Sequence, residues 1–183
     1  MTDDDPLEAR VIARVRDGDA GAYDTLVSKY LRRVVAIAWS ITRNEQDAED
    51  LAQEAFVRAY QNIGRFRIGE PFGPWIGRIV TNLALDVVKH RRKFRHEELA
   101  ETEPAARRDH ADIAAMSNDI ASRIDAAIDE LPEMQRLVAR LHLVEEMEHA
   151  EIAAVTGLSD GTVRSHLSLA RTKLREKLAD LYD

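Results

Sequence analysis

The sequence predicts an all-α protein, built of two small helical domains that a flexible acidic linker joins. Apolar residues recur at the i, i+3, i+4, i+7 spacing of a helix on both sides of residues 97–118. Residues 97–118 themselves hold few large apolar side chains and many carboxylates. A short helix, a glycine turn and a longer helix follow near the end of the chain, which is typical of a helix-turn-helix. The predicted domains are therefore 1–96 and 119–183, and 183 residues are enough for both.

Two helices are predicted within the first 42 residues. Residues 6–17 place apolar side chains at helical spacing, and Gly18 follows as a break. A second helix is expected from residue 19 or 20 to about 42, with an apolar stripe broad enough to contact two neighbouring helices. Trp39 lies within this helix, and we assign it to the core rather than to a ligand contact.

A third helix is predicted from residue 47 to residue 63, with one apolar face. Four polar residues lie off that face, and three of them share one surface patch because they stand at i, i+3 and i+4. The patch is either a binding face or an ordinary solvated surface with a Glu54–Arg58 ion pair. The three are Asp50, Gln53 and Glu54, and Asp47 extends the patch by one turn.

A loop at residues 64–73 combines arginines with aromatic side chains, and Pro71 and Pro74 stiffen its end. An aromatic face can stack on a base pulled from a duplex for roughly 1–3 kcal/mol while arginine binds phosphate. The alternative is that Phe66, Phe72 and Trp75 only cover a small helical core, which we favour for Trp75. The candidate nucleic-acid contacts of this loop are Arg65, Phe66 and Arg67.

The next helix is expected from residue 75 to about residue 92, and a dense basic cluster marks its end. Residues 89–96 carry five formal positive charges and no acid. Cations favour a helix C-terminus because of the helix dipole, but this cluster is denser than capping needs. It indicates a phosphate-binding patch, with Lys89, Arg91 and Arg92 as candidate contacts.

The C-terminal part predicts four more helices, of which the last two form the helix-turn-helix. Helix resumes near residue 117, Pro132 starts another, and residues 149–157 form a short helix ending in glycine. Ser159 can cap a last helix that runs from 160 to about 181. Its outward hydroxyls and bases suit the major groove, although a generic amphipathic helix also exposes arginine and lysine. The candidate DNA contacts are Thr162, Arg164, Ser165, His166, Ser168, Arg171 and Lys173.

Net charge is −7, but its distribution is uneven. Residues 97–130 hold ten acids and three bases, so the rest of the chain is neutral overall and carries its bases in local clusters. Local charge decides contact with DNA, so the total does not exclude a nucleic-acid partner.

Several other classes of protein are excluded by composition. The chain has no cysteine, an acidic N-terminus without the apolar core of a secretory signal, and no apolar run near the roughly 20 residues that span a bilayer. The histidines lack metal-ligand spacing, and no glycine-rich phosphate loop, HExxH motif or serine triad is visible. We expect a cytoplasmic protein that is not an enzyme and has no metal, cofactor or direct membrane contact.

The motifs together resemble one family. DAEDLAQEAFVRAY at residues 47–60, PWIGRIVTNLALD at 74–86 and the basic tail are similar to domain two of bacterial RNA polymerase sigma factors. EIAAVTGLSDGTVRSHLSLARTKLR at residues 151–175 is similar to their domain four. The chain is most similar to the extracytoplasmic-function group of the sigma-70 family, over about residues 10–96 and 119–178. The resemblance implies a domain two of three to four helices and a domain four with a helix-turn-helix.

The same resemblance implies an alternative sigma factor that binds core RNA polymerase and directs promoter-specific transcription initiation. The acidic patch would dock on the clamp helices of the largest polymerase subunit, with the flap as a second contact. The loop and the following helix, including Arg78 and Asn82, would open the minus-ten element of promoter DNA and capture a flipped base. The last helix would read the minus-thirty-five element, the linker would thread the polymerase cleft, and an anti-sigma factor would regulate the protein.

Three positions depart from the family pattern. His166 stands where members often have arginine, Leu169 where a basic residue is common, and Glu148 where serine usually caps the first short helix. We expect weaker contacts or a different preferred DNA sequence at the first two.

Two other functions explain parts of the sequence. A DNA-binding repressor or activator needs only the C-terminal reader and leaves the acidic patch without a role. A sigma mimic that titrates regulators leaves the basic clusters without a role. Binding to core polymerase and support of transcription distinguish the three possibilities.

Overall fold

The computed structural model describes residues 6–98 and 117–179. These residues form eight α-helices and no strand, which confirms the all-α prediction. A 3₁₀ turn, Ile63–Arg65, follows the third helix. The helices are α1 (Pro6–Arg16), α2 (Ala20–Thr42), α3 (Glu45–Gln61), α4 (Phe72–Glu98), α5 (Ser117–Asp129), α6 (Glu133–Leu143), α7 (His149–Thr156) and α8 (Asp160–Lys177).

Several helix ends have an identifiable chemical cause. Asp19, Asn44 and Ser159 each accept a hydrogen bond from the backbone amide three residues later, and so cap α2, α3 and α8. Gly157 ends α7 in the left-handed conformation, with φ of 75°. Glu148 precedes α7 without a side-chain capping bond, as the missing serine predicts.

Helix α4 is longer than predicted at both ends. It begins three residues earlier, at Phe72, because Pro74 can occupy a first turn where its missing N–H costs nothing. It continues to Glu98, so Glu97 and Glu98 of the predicted acidic linker belong to a helix. Residues 99–116 of that linker lie outside the described residues.

Helices α1 to α4 pack around a common apolar core. Helix α2 packs against α1, α3 and α4, which explains its broad apolar stripe. Helix α3 contributes four alanines that are fully inaccessible to solvent, and side chains this small allow its backbone to approach the neighbouring helices. These alanines are Ala48, Ala52, Ala55 and Ala59.

Helices α5 to α8 enclose a buried charge. The side chain of Arg140 on α6 is fully inaccessible to solvent. Its guanidinium donates to Asp125 at 2.7 Å and to Asp129 at 2.9 Å, both on α5. An arginine buried without such partners would be strongly destabilising, so this pairing fixes α5 against α6.

The two halves of the chain also pack on each other. Ile152 and Val155 on α7 are buried against α4, and they belong to the same apolar cluster as the core of α1 to α4. Ion pairs join the halves at the edge of this contact, from Arg33 to Glu151 and from Arg43 to Asp125. The described residues therefore adopt a closed arrangement in which one apolar cluster spans both halves, and a second, smaller cluster lies between α5, α6 and α8.

Candidate functional site

The acidic patch predicted on α3 is present at the surface. Asp50, Gln53 and Glu54 are all exposed, and Glu54 forms an ion pair with Arg58 at 2.7 Å. Val57 lies one turn further on the same face and is 50% exposed. The sequence prediction missed Val57, although an apolar side chain outside the buried stripe was a usable signal. The face combines acidic and amide groups with an apolar centre, which suits contact with another protein.

Asp47 differs from the rest of the acidic patch because its ion pair reaches another helix, whereas the partner of Glu54 lies on α3 itself. The Asp47 carboxylate accepts hydrogen bonds from both terminal nitrogens of Arg91 on α4, and the distance from Nη2 to Oδ1 is 2.7 Å. The hydrogen bond that Arg91 donates to Asp47 raises the pKa of Arg91, so the guanidinium remains charged. The ion pair ties the start of α3 to the basic end of α4, and it joins a predicted docking residue to a predicted DNA contact.

The loop after α3 exposes its arginines but not its first aromatic residue. Arg65 and Arg67 are exposed, whereas Phe66 is only 4% exposed. The Phe66 ring packs on Trp75, with centroids 5.0 Å apart, and on Phe72 at 5.8 Å. The expectation that Phe66 stacks on a base is corrected here, because its ring is covered in the described conformation. The alternative prediction, that Phe66, Phe72 and Trp75 cover the helical core, agrees with these ring contacts.

The tip of the loop presents a different apolar side chain. The amide of Glu70 donates to the carbonyl of Arg67 at 3.1 Å, and Gly69 adopts φ of 98°. This tight turn leaves Ile68 48% exposed between Arg67 and Gly69. The sequence prediction missed Ile68, although an isolated aliphatic residue beside a turn glycine was a usable signal.

Helix α4 carries several of the remaining candidate DNA contacts. Arg78 and Asn82 are exposed one turn apart on the same face, and Lys89 is exposed further along. A Cβ atom on Gly157 would lie 3.1 Å from Nη2 of Arg78, so this guanidinium rests against the end of α7. The side chain of Arg92 lies outside the described residues.

The outward face of α8 carries a polar and basic stripe. Arg164, Ser168 and Arg171 are exposed at i, i+4 and i+7 spacing, and Ser165 is exposed beside them. Arg164 forms an ion pair with Asp160 one turn earlier, at 2.5 Å. Leu169, which departs from the family pattern, is 49% exposed on the same helix and offers an apolar contact to a thymine methyl group.

Three predicted residues of α8 lie at the edge of this stripe. Thr162, His166 and Lys173 are half-buried. The Thr162 hydroxyl shares a 2.7 Å hydrogen bond with the Ser159 hydroxyl, so it belongs to the helix cap. Nδ1 of His166 is shielded from solvent and has no hydrogen-bond partner among the described residues. These side chains are less available to DNA than Arg164 and Arg171.

Residues 6–98 and 117–179 bring together no group of three or more carboxylates and histidines that could hold a metal ion. Within those ranges no helix has both the length and the apolar character to cross a membrane.

The helix-turn-helix, the basic surface of α4 and the acidic face of α3 define a helical DNA-binding protein with a separate surface for a protein partner. Comparison with known families identifies the two parts. The family model for sigma-70 region 2 matches residues 26–94, and the model for sigma-70 region 4 matches residues 121–174.

Relatives cover nearly the whole chain. The ECF RNA polymerase sigma factor SigW of Bacillus subtilis is 31% identical over 93% of this chain and 96% of its own length. The structure of CnrH in complex with the cytosolic domain of CnrY shares 27% identity and a TM-score of 0.68, over 94% of this chain and 97% of that one. RpoE from Bartonella quintana, at 22% identity and a TM-score of 0.66 over 86% of this chain and 96% of that one, shows the same fold.

The chain therefore belongs to the extracytoplasmic-function group of the sigma-70 family of RNA polymerase sigma factors. Members of this family are transcription initiation factors, and the family predicted from the sequence motifs is confirmed.

Proposed function

We propose that this chain is an alternative sigma factor, the subunit that makes core RNA polymerase start transcription at particular promoters. The observation that supports this most is the combination of an exposed acidic face on α3 with two exposed basic and polar surfaces, on α4 and on α8. A repressor would have no use for the acidic face, and a sigma mimic would have no use for the basic surfaces.

The acidic face of α3 is the proposed docking surface for the clamp helices of the largest polymerase subunit. Asp50, Gln53 and Glu54 supply polar contacts, and Val57 supplies an apolar centre that excludes water. Asp47 acts indirectly in this proposal, because its ion pair with Arg91 holds the two helices together.

A groove between α6 and α8 is the proposed contact for the polymerase flap. Its lining is mostly apolar but includes the bases Arg171 and Arg175, and Leu143, which also lines it, is 53% exposed. A groove of this kind can receive an apolar helix face. It lies beside the DNA-facing stripe, so polymerase and DNA contacts would occupy adjoining surfaces of α8.

The minus-ten element is the proposed ligand of the loop and α4. Arg65 and Arg67 would bind phosphate, and Arg78 and Asn82 lie on the exposed face that follows. Lys89, Arg91 and Arg92 extend the positive charge along the end of α4. The loop tip at Ile68, rather than the ring of Phe66, offers the apolar contact to an extruded base.

The minus-thirty-five element is the proposed ligand of α8. Arg164 and Arg171 are the strongest candidates for base and phosphate contacts, with Ser165 and Ser168 as hydroxyl donors. The proposed domains are 1–96 and 119–183, joined by an acidic linker at 97–118 that crosses the polymerase cleft.

An anti-sigma factor is the proposed regulator. CnrH, which resembles this chain over most of its length, was solved in complex with the cytosolic domain of CnrY. A regulator that holds the two halves in the closed arrangement would keep Arg78 against α7 and away from DNA. The proposed location is the cytoplasm, where the polymerase acts, and the chain itself would catalyse no reaction.

A run-off transcription assay on a randomised promoter library, with a pull-down of purified core polymerase, tests this function. The wild-type chain should bind core enzyme and start transcripts at defined sites. The triple variant Asp50→Ala, Gln53→Ala, Glu54→Ala should lose both activities, whereas Glu45→Ala, which removes an exposed carboxylate in the first turn of α3, should retain them. If the triple variant transcribed at the wild-type level, the proposed docking surface would be contradicted. If the wild-type chain bound core enzyme but supported no transcription, it would be a sigma mimic.

A further inference from the structure

We propose that α1 positions the promoter loop (residues 64–73), by holding the backbone near its start through Arg16 and near its end through Glu8. The inference rests on the proposed function, because it assigns a role to α1 in presenting the loop tip to DNA. Neither residue was among the candidate site residues, and neither lies at the tip itself.

Arg16, the last residue of α1, fixes the start of the loop. Its Nε donates to the carbonyl of Ile63 at 2.9 Å, and its Nη2 donates to the carbonyl of Phe66. Ile63 is the first residue of the 3₁₀ turn, and Phe66 is the residue that follows the turn. A charged donor that binds two carbonyls three residues apart restricts both the position and the orientation of the backbone between them.

Glu8, in the first turn of α1, fixes the end of the loop. Its Oε1 accepts the backbone N–H of Phe72 at 2.9 Å, and this amide opens α4. The first amides of a helix have no partner within that helix, so Glu8 replaces a capping side chain. Its Oε2 accepts the Tyr30 hydroxyl at 2.5 Å and Lys29 Nζ at 2.9 Å, and Glu8 as a whole is only 8% exposed.

The two contacts leave only the tip of the loop free. Phe66 and Phe72 are held at their backbone by α1 and pack on each other through their rings. Between them the chain makes one tight turn, closed by the hydrogen bond from Glu70 to Arg67. A loop fixed in this way loses little further conformational entropy when it binds DNA, so α1 would lower the cost of base capture.

The test compares arginine substitutions within α1 in the complete holoenzyme. Arg16→Ala removes the hold on the loop, and Arg10→Ala removes an exposed arginine from the same helix. Each variant is bound to purified core polymerase, and opening is followed by 2-aminopurine fluorescence on a promoter selected by the wild-type holoenzyme. Core affinity is measured in parallel by fluorescence anisotropy. Arg16→Gln retains one donor and serves if the alanine variant fails to fold.

We expect Arg16→Ala to open the promoter about tenfold more slowly than Arg10→Ala, because both charge-assisted hydrogen bonds from Arg16 to the loop backbone are lost. Core affinity should stay within about twofold of wild type, which separates positioning from general destabilisation. Arg16→Gln should give an intermediate rate. Equal opening rates for Arg16→Ala and Arg10→Ala, or a parallel loss of core affinity, would overturn the inference. A wild-type holoenzyme that opens no DNA would instead contradict the proposed function.

Discussion

Gly77 gives a sharp test of the contact between the two halves of the chain. A Cβ atom at this position would lie 2.7 Å from Cγ1 of Val155 on α7 and 3.4 Å from Cδ1 of Ile37 on α2. Real Cβ atoms essentially never lie as close as 2.7 Å to another carbon atom. Val155 has little freedom to rotate away, because the χ1 angle of valine is stiff. The substitution Gly77→Ala should therefore push α7 away from α4.

The expected free energies follow from two opposing effects. Overpacking costs about 1–3 kcal/mol, and replacing glycine by alanine within a helix gains about 1 kcal/mol. Gly77→Ala should therefore lower the free energy of unfolding by up to about 2 kcal/mol in the wild-type chain. In a Val155→Ala background the clash disappears, so the same substitution should stabilise by about 1 kcal/mol.

Urea unfolding of the four chains in this double-mutant cycle measures the change of sign. Gly161→Ala is the matched control, because a Cβ there would meet only the Ser159 hydroxyl oxygen at 3.9 Å. Its effect should be the same in both backgrounds to within about 0.5 kcal/mol. If Gly77→Ala also had the same effect in both backgrounds, the closed packing of α7 on α4 would be refuted.

Three further substitutions test separate features. Burial alone raises the pKa of Glu8, but hydrogen bonds from its partners outweigh that effect and lower the pKa below the ordinary value of 4.5. Glu8 should therefore contribute its full stability above about pH 4.5, and this contribution should decline as the pH falls through the pKa of the folded state. When urea unfolding is measured over a pH series, the free energy of unfolding of Glu8→Gln should depend less on pH in that range. Arg91→Ala breaks the partly exposed pair with Asp47 and should cost no more than about 1 kcal/mol, less at high salt, in urea unfolding at two ionic strengths. Arg164→Ala should weaken holoenzyme binding to upstream promoter DNA by about tenfold in fluorescence anisotropy, with core affinity unchanged, and an equal effect of Arg10→Ala would contradict that role.

Helix positions were predictable because they depend on local periodicity. The apolar stripe of α2 and the cap at Ser159 follow from residues within a few positions of each other, and both agree with the structure. The loop aromatics were not predictable in the same way. Phe66 could be exposed or covered until its contact with Trp75 was known, since loops have no periodicity that distinguishes the two.

Contacts between distant parts of the chain were missed for a related reason. Arg91 and Asp47 are 44 residues apart, and each alone had an ordinary explanation at a helix end. Glu8 lies in the first turn of α1, where an acidic residue ordinarily favours its own helix dipole, but it caps α4 across 64 residues. The contact of Gly77 with Val155 depends on the fit of two surfaces, which no sequence pattern specifies.

Run-off transcription with purified core RNA polymerase, on a promoter library and without any inhibitor, tests the central assignment most directly. The full chain should convert core enzyme from random initiation to initiation at discrete sites. Those sites should share sequence elements near minus ten and minus thirty-five. Core enzyme that started no more selectively with the chain than without it would contradict the assignment as a promoter-specificity subunit.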